Sequence, residues 1–159
     1  LEGYGCTEQS PVVSTNLHDA TVAGMTQKAN VPGTIGQPIP GVAVRAVDRE
    51  SKLPLPPETE GLLASRGPNT MLGYLNDPKR TAEVLVDGWY VSGDVGIVRA
   101  DGFVQITGRA SRFAKIAGEM IPLEKLDAEL HDVLGQNHDR VLVLAAVPDD
   151  KRGERVIVM

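Results

Sequence analysis

The stretch of sequence that decides the fold is residues 89–107, WYVSGDVGIVRADGFVQIT. Within it, two β-prone runs, Val95–Arg99 and Phe103–Thr107, flank the turn sequence Ala100-Asp101-Gly102. Two such runs joined by a few residues that include Asp and Gly are typical of an antiparallel hairpin. The sequence therefore predicts a β-sheet at the centre of the chain.

The sequence before this hairpin predicts more strands and one short helix. Val42–Val47 and Gly61–Arg66 have the composition of strands, and the proline-rich residues 54–57 predict an exposed connection because proline cannot donate to a sheet ladder. Asn76-Asp77-Pro78 predicts a helix that is capped by Asp77 and ended by Asp87-Gly88. Residues 1–40 contain many glycines and prolines without a period, which predicts an ordered loop.

After Gly108 the sequence predicts a second unit that mixes strands and a helix. Short β segments surround Lys115-Ile116 and Met120-Ile121, and Pro122 and Glu124 open an amphipathic helix. The apolar face of this helix is predicted to consist of Leu126, Leu130, Val133 and Leu134.

The end of the sequence predicts two strands. Arg140–Val147 is an almost unbroken apolar run, which is typical of a strand buried on both faces. Arg155–Met159 predicts another strand across a Pro148-Asp149-Asp150 turn. The sequence stops within this strand, so we expect the chain to be part of a longer protein.

Composition excludes several classes of protein. The 159 residues are 42% hydrophobic and 23% charged, which is ordinary for a globular protein and excludes disordered, collagen-like and coiled-coil chains. The 16 basic and 21 acidic side chains give a net charge of −5 without a basic cluster, so no nucleic-acid partner is expected. The single cysteine and three scattered histidines exclude a disulfide framework and a zinc site. We expect a cytoplasmic, reducing location.

The N-terminal sequence Gly3-Tyr4-Gly5-Cys6-Thr7-Glu8 has the residue types that a nucleotide needs. Glycine lets the backbone approach a ligand closely, tyrosine offers a stacking face, threonine donates to a phosphate oxygen and glutamate holds a magnesium ion. The alternative is a glycine-rich turn with a capping threonine. Cys6 has no histidine near it in the sequence, and we interpret it as a packing residue.

Two further clusters are candidates for binding. Asp94 follows Ser92-Gly93, and its two carboxylate oxygens can accept both hydroxyls of a ribose diol; the alternative is a turn aspartate that bonds its own backbone. Residues 108–124 place cationic donors and small residues on a connector, where ligands bind or domains pivot; the alternative is a solvated linker. Trp89 and Tyr90 are interpreted as core residues at the base of the hairpin.

Taken in order, four motifs resemble the adenylate-forming superfamily of acyl-CoA synthetases, adenylation domains and luciferases. They are Tyr-Gly-x-Thr-Glu at 4–8, the Gly67 to Tyr74 segment, Trp-Tyr-x-Ser-Gly-Asp at 89–94, and Gly-Arg through Gly-Glu at 108–119. Within that superfamily, residues 1–8 and 111–120 look most like the acyl-acyl carrier protein synthetase part of the 2-acylglycerophosphoethanolamine acyltransferase family.

This resemblance implies an α/β (α+β) fold in two parts. Residues 1–110 would be the β-rich C-terminal part of the large nucleotide-binding domain, and residues 111–159 the start of the small, mobile C-terminal α/β domain. Ser111 would be the hinge, although it is followed by Arg112 where the superfamily commonly has an acidic residue. The phosphate loop and the catalytic lysine of the superfamily would lie outside residues 1–159, so this chain alone is expected to be inactive.

The resemblance also implies roles for individual residues. Tyr4 would stack on adenine beside Gly5, Thr7 would contact the α-phosphate, and Glu8 would ligate magnesium. The ribose hydroxyls would bind Asp94, and Arg109 would contact the ribose and phosphate side. Lys115 and Gly118 would lie on the side of the thiol acceptor.

The implied activity is that of an ATP-dependent fatty acid ligase that needs Mg²⁺. It would form an acyl-adenylate and transfer the acyl group to the phosphopantetheine thiol of acyl carrier protein or of CoA. Two alternatives remain open: a CoA synthetase for another carboxylic acid, and a non-catalytic nucleotide-binding module. Any transfer to a lysophospholipid would need a further acyltransferase domain, and the whole protein could be located at the inner membrane.

Overall fold

The computed structural model describes residues 1–134 and 143–159, and its contacts divide the chain into two units, Leu1–Thr107 and Gly108–Met159. This division falls beside the predicted domain boundary after residue 110. The strands are β1 (Gly3–Gly5), β2 (Val12–Thr15), β3 (Ala20–Val22), β4 (Met25–Gln27), β5 (Gln37–Pro38), β6 (Ala43–Val47), β7 (Glu60–Arg66), β8 (Leu85–Val86), β9 (Trp89–Val98), β10 (Val104–Arg109), β11 (Phe113–Ile116), β12 (Glu119–Pro122), β13 (Leu144–Asp149) and β14 (Gly153–Val158). The α-helices are α1 (Pro78–Val84) and α2 (Leu123–Leu134), and single 3-10 turns occupy Thr7–Gln9 and Ala110–Arg112.

The first unit is built on a sheet of order β10-β9-β7-β6, with β8 also paired to β9. The predicted hairpin is confirmed as β9 and β10, and its turn is closed by a hydrogen bond from the Gly102 amide to the Arg99 carbonyl (3.0 Å). Gly102 has a φ of 83°, a left-handed conformation that glycine adopts without strain. Val47 of β6, Val95 of β9 and Val104 of β10 are fully buried. Because β9 begins at Trp89, Asp94 lies inside a strand and not at its entrance.

The prediction of a loop over residues 1–40 is wrong. Strands β1, β2 and β5 form a three-stranded sheet, and β3 pairs with β4 in a separate exposed hairpin. These strands have two to four residues each, so they are too short to show a period in the sequence. Glycines and prolines lie at or between their ends, where they set the turns.

Helix α1 confirms the predicted start and corrects the predicted end. The Asp77 carboxylate accepts a hydrogen bond from the Arg80 amide (2.9 Å), and Pro78 is the first helical residue. The helix ends at Val84, and Leu85–Val86 then pairs with Trp89–Tyr90. Asp87-Gly88, with positive φ angles of 51° and 77°, closes this tight hairpin instead of ending the helix.

The second unit is a sheet of order β12-β11-β14-β13 with α2 packed against it. Its core consists of Ala114, Leu123 and Leu144, with Leu126 and Leu130 of α2 packed around them. Val133 is 81% exposed, so its predicted place on the buried face is wrong, and the side chain of Leu134 lies outside the described structure. Val133 follows Leu126 by seven residues and so lies on the same side of the helix, but it is in the last turn of α2, where its side chain is exposed.

The end of the second unit also differs from the prediction. Residues 135–142, which include the first part of the predicted strand Arg140–Val147, lie outside the described residues. Strand β13 starts at Leu144, and Leu144 alone among its residues is buried, so this strand is not buried on both faces. The strand continues through Pro148 to Asp149, which moves the turn to residues 150–152. Among the described residues, no helix is long and apolar enough to cross a membrane.

Candidate active site

The first and third motifs of the sequence meet in the first unit. The Tyr4 hydroxyl, on β1, donates a hydrogen bond of 2.5 Å to Oδ2 of Asp94, on β9. Asp94 is 7% exposed, and its amide donates to the Ser92 hydroxyl (3.1 Å), which itself donates to the Leu63 carbonyl (3.0 Å). The interpretation of Asp94 as a turn residue is therefore wrong. Burial, and then the hydrogen bond to Asp94, raise the pKa of Tyr4 well above its usual value, so Tyr4 is a neutral donor.

Glu8 lies in the 3-10 turn Thr7–Gln9, on the same unit. Its Oε1 accepts a hydrogen bond of 2.7 Å from the Tyr74 hydroxyl. This hydrogen bond lowers the pKa of Glu8 against the opposing effect of burial, so the carboxylate is ionised at neutral pH. Thr7 is exposed beside it, and Cys6, not Thr7, occupies the cap position of the turn. An ionised carboxylate next to an exposed hydroxyl has the chemistry needed to hold a cation and to donate to an anion.

The requirement for glycine at position 5 comes from the protein's own backbone. A Cβ on Gly5 would lie 2.0 Å from the Pro11 carbonyl oxygen, where the Cys6 amide also bonds (2.8 Å). Real Cβ atoms do not approach backbone this closely, so a side chain here would push β1 away from β2.

We expect Gly5→Ala to lower the free energy of unfolding by about 1–3 kcal/mol, because the added methyl overpacks a backbone contact. Urea denaturation of the full-length protein measures this effect. Gly93→Ala is the matched control, since a Cβ there meets nothing within 4 Å. Equal unfolding midpoints for the two variants would contradict the steric explanation.

Cys6 has the environment of a packing residue and not of a nucleophile. It is half-buried, and burial together with the Glu8 charge raises the pKa of its thiol to about 11. Nucleophilic cysteines have a lowered pKa because the thiolate is the reactive form.

We therefore expect iodoacetamide at pH 8 to alkylate Cys6 about a hundredfold more slowly than glutathione, because only a small fraction of the Cys6 thiol is ionised at this pH. Mass spectrometry of the peptide that contains Cys6 gives the rate. Glu8→Gln removes the neighbouring charge and should increase the rate. A rate equal to that of glutathione would show that the thiol is not shielded.

The remaining predicted site residues lie in the second unit. Arg109 is the last residue of β10, and Ser111 is exposed in the turn Ala110–Arg112. Lys115 is exposed on β11, and Gly118, with a φ of 94°, forms the turn to β12. Lys115 and Gly118 line a shallow cavity of about 340 Å³ with Arg152, Gly153 and Glu154. The roles of these residues stay predictions.

Sequence reasoning missed two tyrosines that face Glu8. Tyr74 ends the second motif, but the motif alone did not show that its hydroxyl reaches a residue far along the chain. Tyr90 is 8% exposed, as expected of a core residue, yet its hydroxyl also contributes to the low pKa of Glu8. Trp89 packs beneath the Arg45 guanidinium, 3.9 Å from the ring centroid.

The chain is similar to known ligases in sequence and in fold. Residues 1–75 match the family described as AMP-binding enzyme. Two relatives are the long-chain-fatty-acid–CoA ligase of Salmonella typhimurium (36% identical over 158 residues) and the medium-chain fatty-acid–CoA ligase of Escherichia coli (38% over 159). Each match covers 98% of this chain and 26% of the relative, so the chain spans about a quarter of the length of these proteins.

A solved structure of an ATP-bound RpMatB-BxBclM chimera has a TM-score of 0.75 and 26% identity, over 99% of this chain and 29% of its own. The β-rich fold with few helices is thus the fold of AMP-binding enzyme structures. The two relatives are CoA ligases by name, so the matches do not confirm the finer resemblance to the acyl-acyl carrier protein synthetase family. What they confirm is the coarser resemblance, to the AMP-binding enzyme family of the adenylate-forming superfamily, whose model residues 1–75 match.

Proposed function

We propose that this chain is part of an AMP-forming ligase that activates a fatty acid with ATP and transfers the acyl group to a thiol. The observation that carries the proposal is the presence of two hydrogen-bonded pairs in the first unit, Tyr4 with the buried carboxylate of Asp94 and Tyr74 with the ionised carboxylate of Glu8. The names of the two relatives support a fatty acid as the substrate.

In this proposal Asp94, Tyr4 and Thr7 of the first unit bind the nucleotide. Asp94 accepts hydrogen bonds from the ribose hydroxyls, Tyr4 lies against adenine beside Gly5, and Thr7 donates to an α-phosphate oxygen. The buried position of Asp94 favours this role, since hydrogen bonds to a charged acceptor are strongest where water is excluded.

Glu8 fits a magnesium ion. Its carboxylate is ionised and lies beside the exposed Thr7. Mg²⁺ is commonly bound by one or two carboxylates with phosphates and water as its other ligands. When bound, the ion offsets the repulsion between the attacking carboxylate and the triphosphate.

The proposed reaction has two steps. First, a fatty acid carboxylate oxygen bonds to the α-phosphorus of ATP while the bond to the bridging oxygen of the β-phosphate breaks, giving acyl-adenylate and pyrophosphate. Second, a thiolate attacks the acyl carbon and AMP leaves. We propose that Arg109 contacts the ribose and phosphate side of the nucleotide, that Lys115 and Gly118 lie on the side of the thiol acceptor in the second step, and that Ser111 is the hinge.

CoA is the acceptor that the relatives favour. Acyl carrier protein is the second candidate, and it is supported by the sequences of residues 1–8 and 111–120. A ligase for a different carboxylic acid and a non-catalytic nucleotide-binding module are the other outcomes of the test.

The test is carried out on the full-length protein. Pyrophosphate exchange with a panel of fatty and aromatic acids should show exchange that depends on a fatty acid and on Mg²⁺. Thioester formation is then measured in parallel with CoA and with acyl carrier protein. Exchange with aromatic acids only would show that the substrate is an aromatic acid and not a fatty acid. ATP binding without exchange for any acid would identify a non-catalytic binding module.

A further inference from the structure

We propose that Tyr74 is a positioning residue for Glu8, and that the segment Gly67–Tyr74, here called the Glu8 clamp, fixes the place and direction of this carboxylate. The inference rests on the proposed function, since it concerns how Glu8 meets Mg²⁺-ATP. Tyr74 itself touches neither nucleotide nor metal in this proposal and acts through its hydroxyl.

The Glu8 clamp holds the backbone of the turn that carries Glu8. The Met71 amide donates to the Glu8 carbonyl (2.8 Å). The Asn69 amide group donates to the carbonyls of Gln9 (2.7 Å) and Val12 (2.9 Å). Gln9 is fully buried, and its side-chain Oε1 accepts from the Thr70 hydroxyl (3.3 Å). The backbone of the turn is therefore fixed before any ligand binds.

Tyr74 adds a hydrogen bond from the clamp to the Glu8 side chain. Its hydroxyl lies 2.7 Å from Oε1, and this hydrogen bond restricts the rotation of the carboxylate. A carboxylate that is already oriented loses less conformational entropy when it binds an ion, and hydrogen bonds to metal-binding carboxylates contribute to metal affinity for this reason.

Tyr74 is in turn held by the start of helix α1. The Tyr74 amide donates to the Thr81 hydroxyl (2.9 Å), and this hydroxyl donates to the Asp77 carbonyl (2.8 Å). The Arg80 guanidinium lies 4.4 Å from the centroid of the Tyr74 ring. The capped first turn of α1 thus fixes the backbone of Tyr74 through Thr81, which directs the ring toward Glu8, while Arg80 adds only a contact to the ring face.

The experiment compares nucleotide binding with and without metal in the full-length protein. ATP affinity is measured calorimetrically at increasing Mg²⁺ concentration and in EDTA, for wild type, Tyr74→Phe, Glu8→Gln and the double variant. Tyr74→Phe should raise the half-saturating Mg²⁺ concentration about three- to tenfold and leave ATP affinity in EDTA unchanged. The double variant should behave as Glu8→Gln, because the hydroxyl acts only through Glu8.

Arg80→Gln is the matched control. It removes the cation over the ring and leaves the hydroxyl bonded to Glu8, so its Mg²⁺ dependence should remain close to that of wild type. Thermal unfolding of each variant shows whether it is folded at the temperature of the titration, and Tyr74→Phe keeps the ring and the backbone contacts.

Several results would overturn the inference. They are an unchanged Mg²⁺ dependence in Tyr74→Phe, an equal loss of affinity with and without Mg²⁺, and additive effects in the double variant. If wild type binds Mg²⁺-ATP and Glu8→Gln loses the Mg²⁺ dependence while Tyr74→Phe does not, only this inference fails. Wild-type protein that binds no ATP, or a Glu8→Gln variant with normal Mg²⁺ dependence, would overturn the assigned role of Glu8 as well.

Discussion

Glu8→Gln should reduce acyl-adenylate formation in the full-length protein at least about a hundredfold at saturating ATP. Removal of the negative charge takes away the one protein carboxylate proposed to hold Mg²⁺, and metal stabilisation of a phosphoryl transition state contributes several kcal/mol. Pyrophosphate exchange measures the effect. Glutamine has nearly the size of glutamate, and its Oε1 can still accept from the Tyr74 hydroxyl, so the turn should stay folded.

The control for this prediction is Glu2→Gln, which makes the same chemical change at an exposed position near the start of β1. It should keep wild-type exchange. Because both variants lose one negative charge, a common loss would indicate an effect of net charge. Exchange by Glu8→Gln within threefold of wild type would mean that Glu8 does not hold the metal and that its hydrogen bond to Tyr74 is structural.

Local signals were sufficient to predict several elements. Asp77 and Pro78 are the cap and the first residue of α1. The turn at Gly102 lies between two β-prone runs. Each of these elements is therefore specified by a few neighbouring residues. The order of the motifs also singled out Tyr4, Glu8 and Asp94, whose roles stay predictions, but it did not show that Tyr4 hydrogen-bonds Asp94.

Contacts between distant residues could not be predicted in the same way. Strand β2 pairs with Pro38 and Gln37 of β5, and such short strands exist only because a partner satisfies their backbone groups. The Tyr74 hydroxyl reaches Glu8 across 66 residues, and the register of β9 decides that Asp94 faces Tyr4. Gly5 is required by Pro11, which the sequence presents only as another turn residue.

Asp94 has a second structural role that complicates its test. Its carboxylate accepts the Tyr4 hydroxyl, and Asp94→Ala would leave this partly buried donor without that acceptor, at a cost of about 1–3 kcal/mol of stability. Weaker ATP binding by Asp94→Ala could therefore come from a displaced tyrosine. Tyr4→Phe separates the two effects, since it removes the same hydrogen bond and leaves both the aromatic face and the carboxylate in place.

The test of Asp94 is the discrimination between ATP and its deoxy analogues. Hydrogen bonds to a charged acceptor contribute about 1.5–3 kcal/mol each, so the wild-type full-length protein should bind 2′-deoxy-ATP and 3′-deoxy-ATP about ten- to a hundredfold more weakly than ATP. Asp94→Ala should bind all three nucleotides equally weakly, because a missing hydroxyl matters only where an acceptor is present. Tyr4→Phe should keep the wild-type discrimination. If the wild type does not discriminate, or if Asp94→Ala still does, Asp94 does not bind the ribose, and its buried carboxylate serves to hold Tyr4.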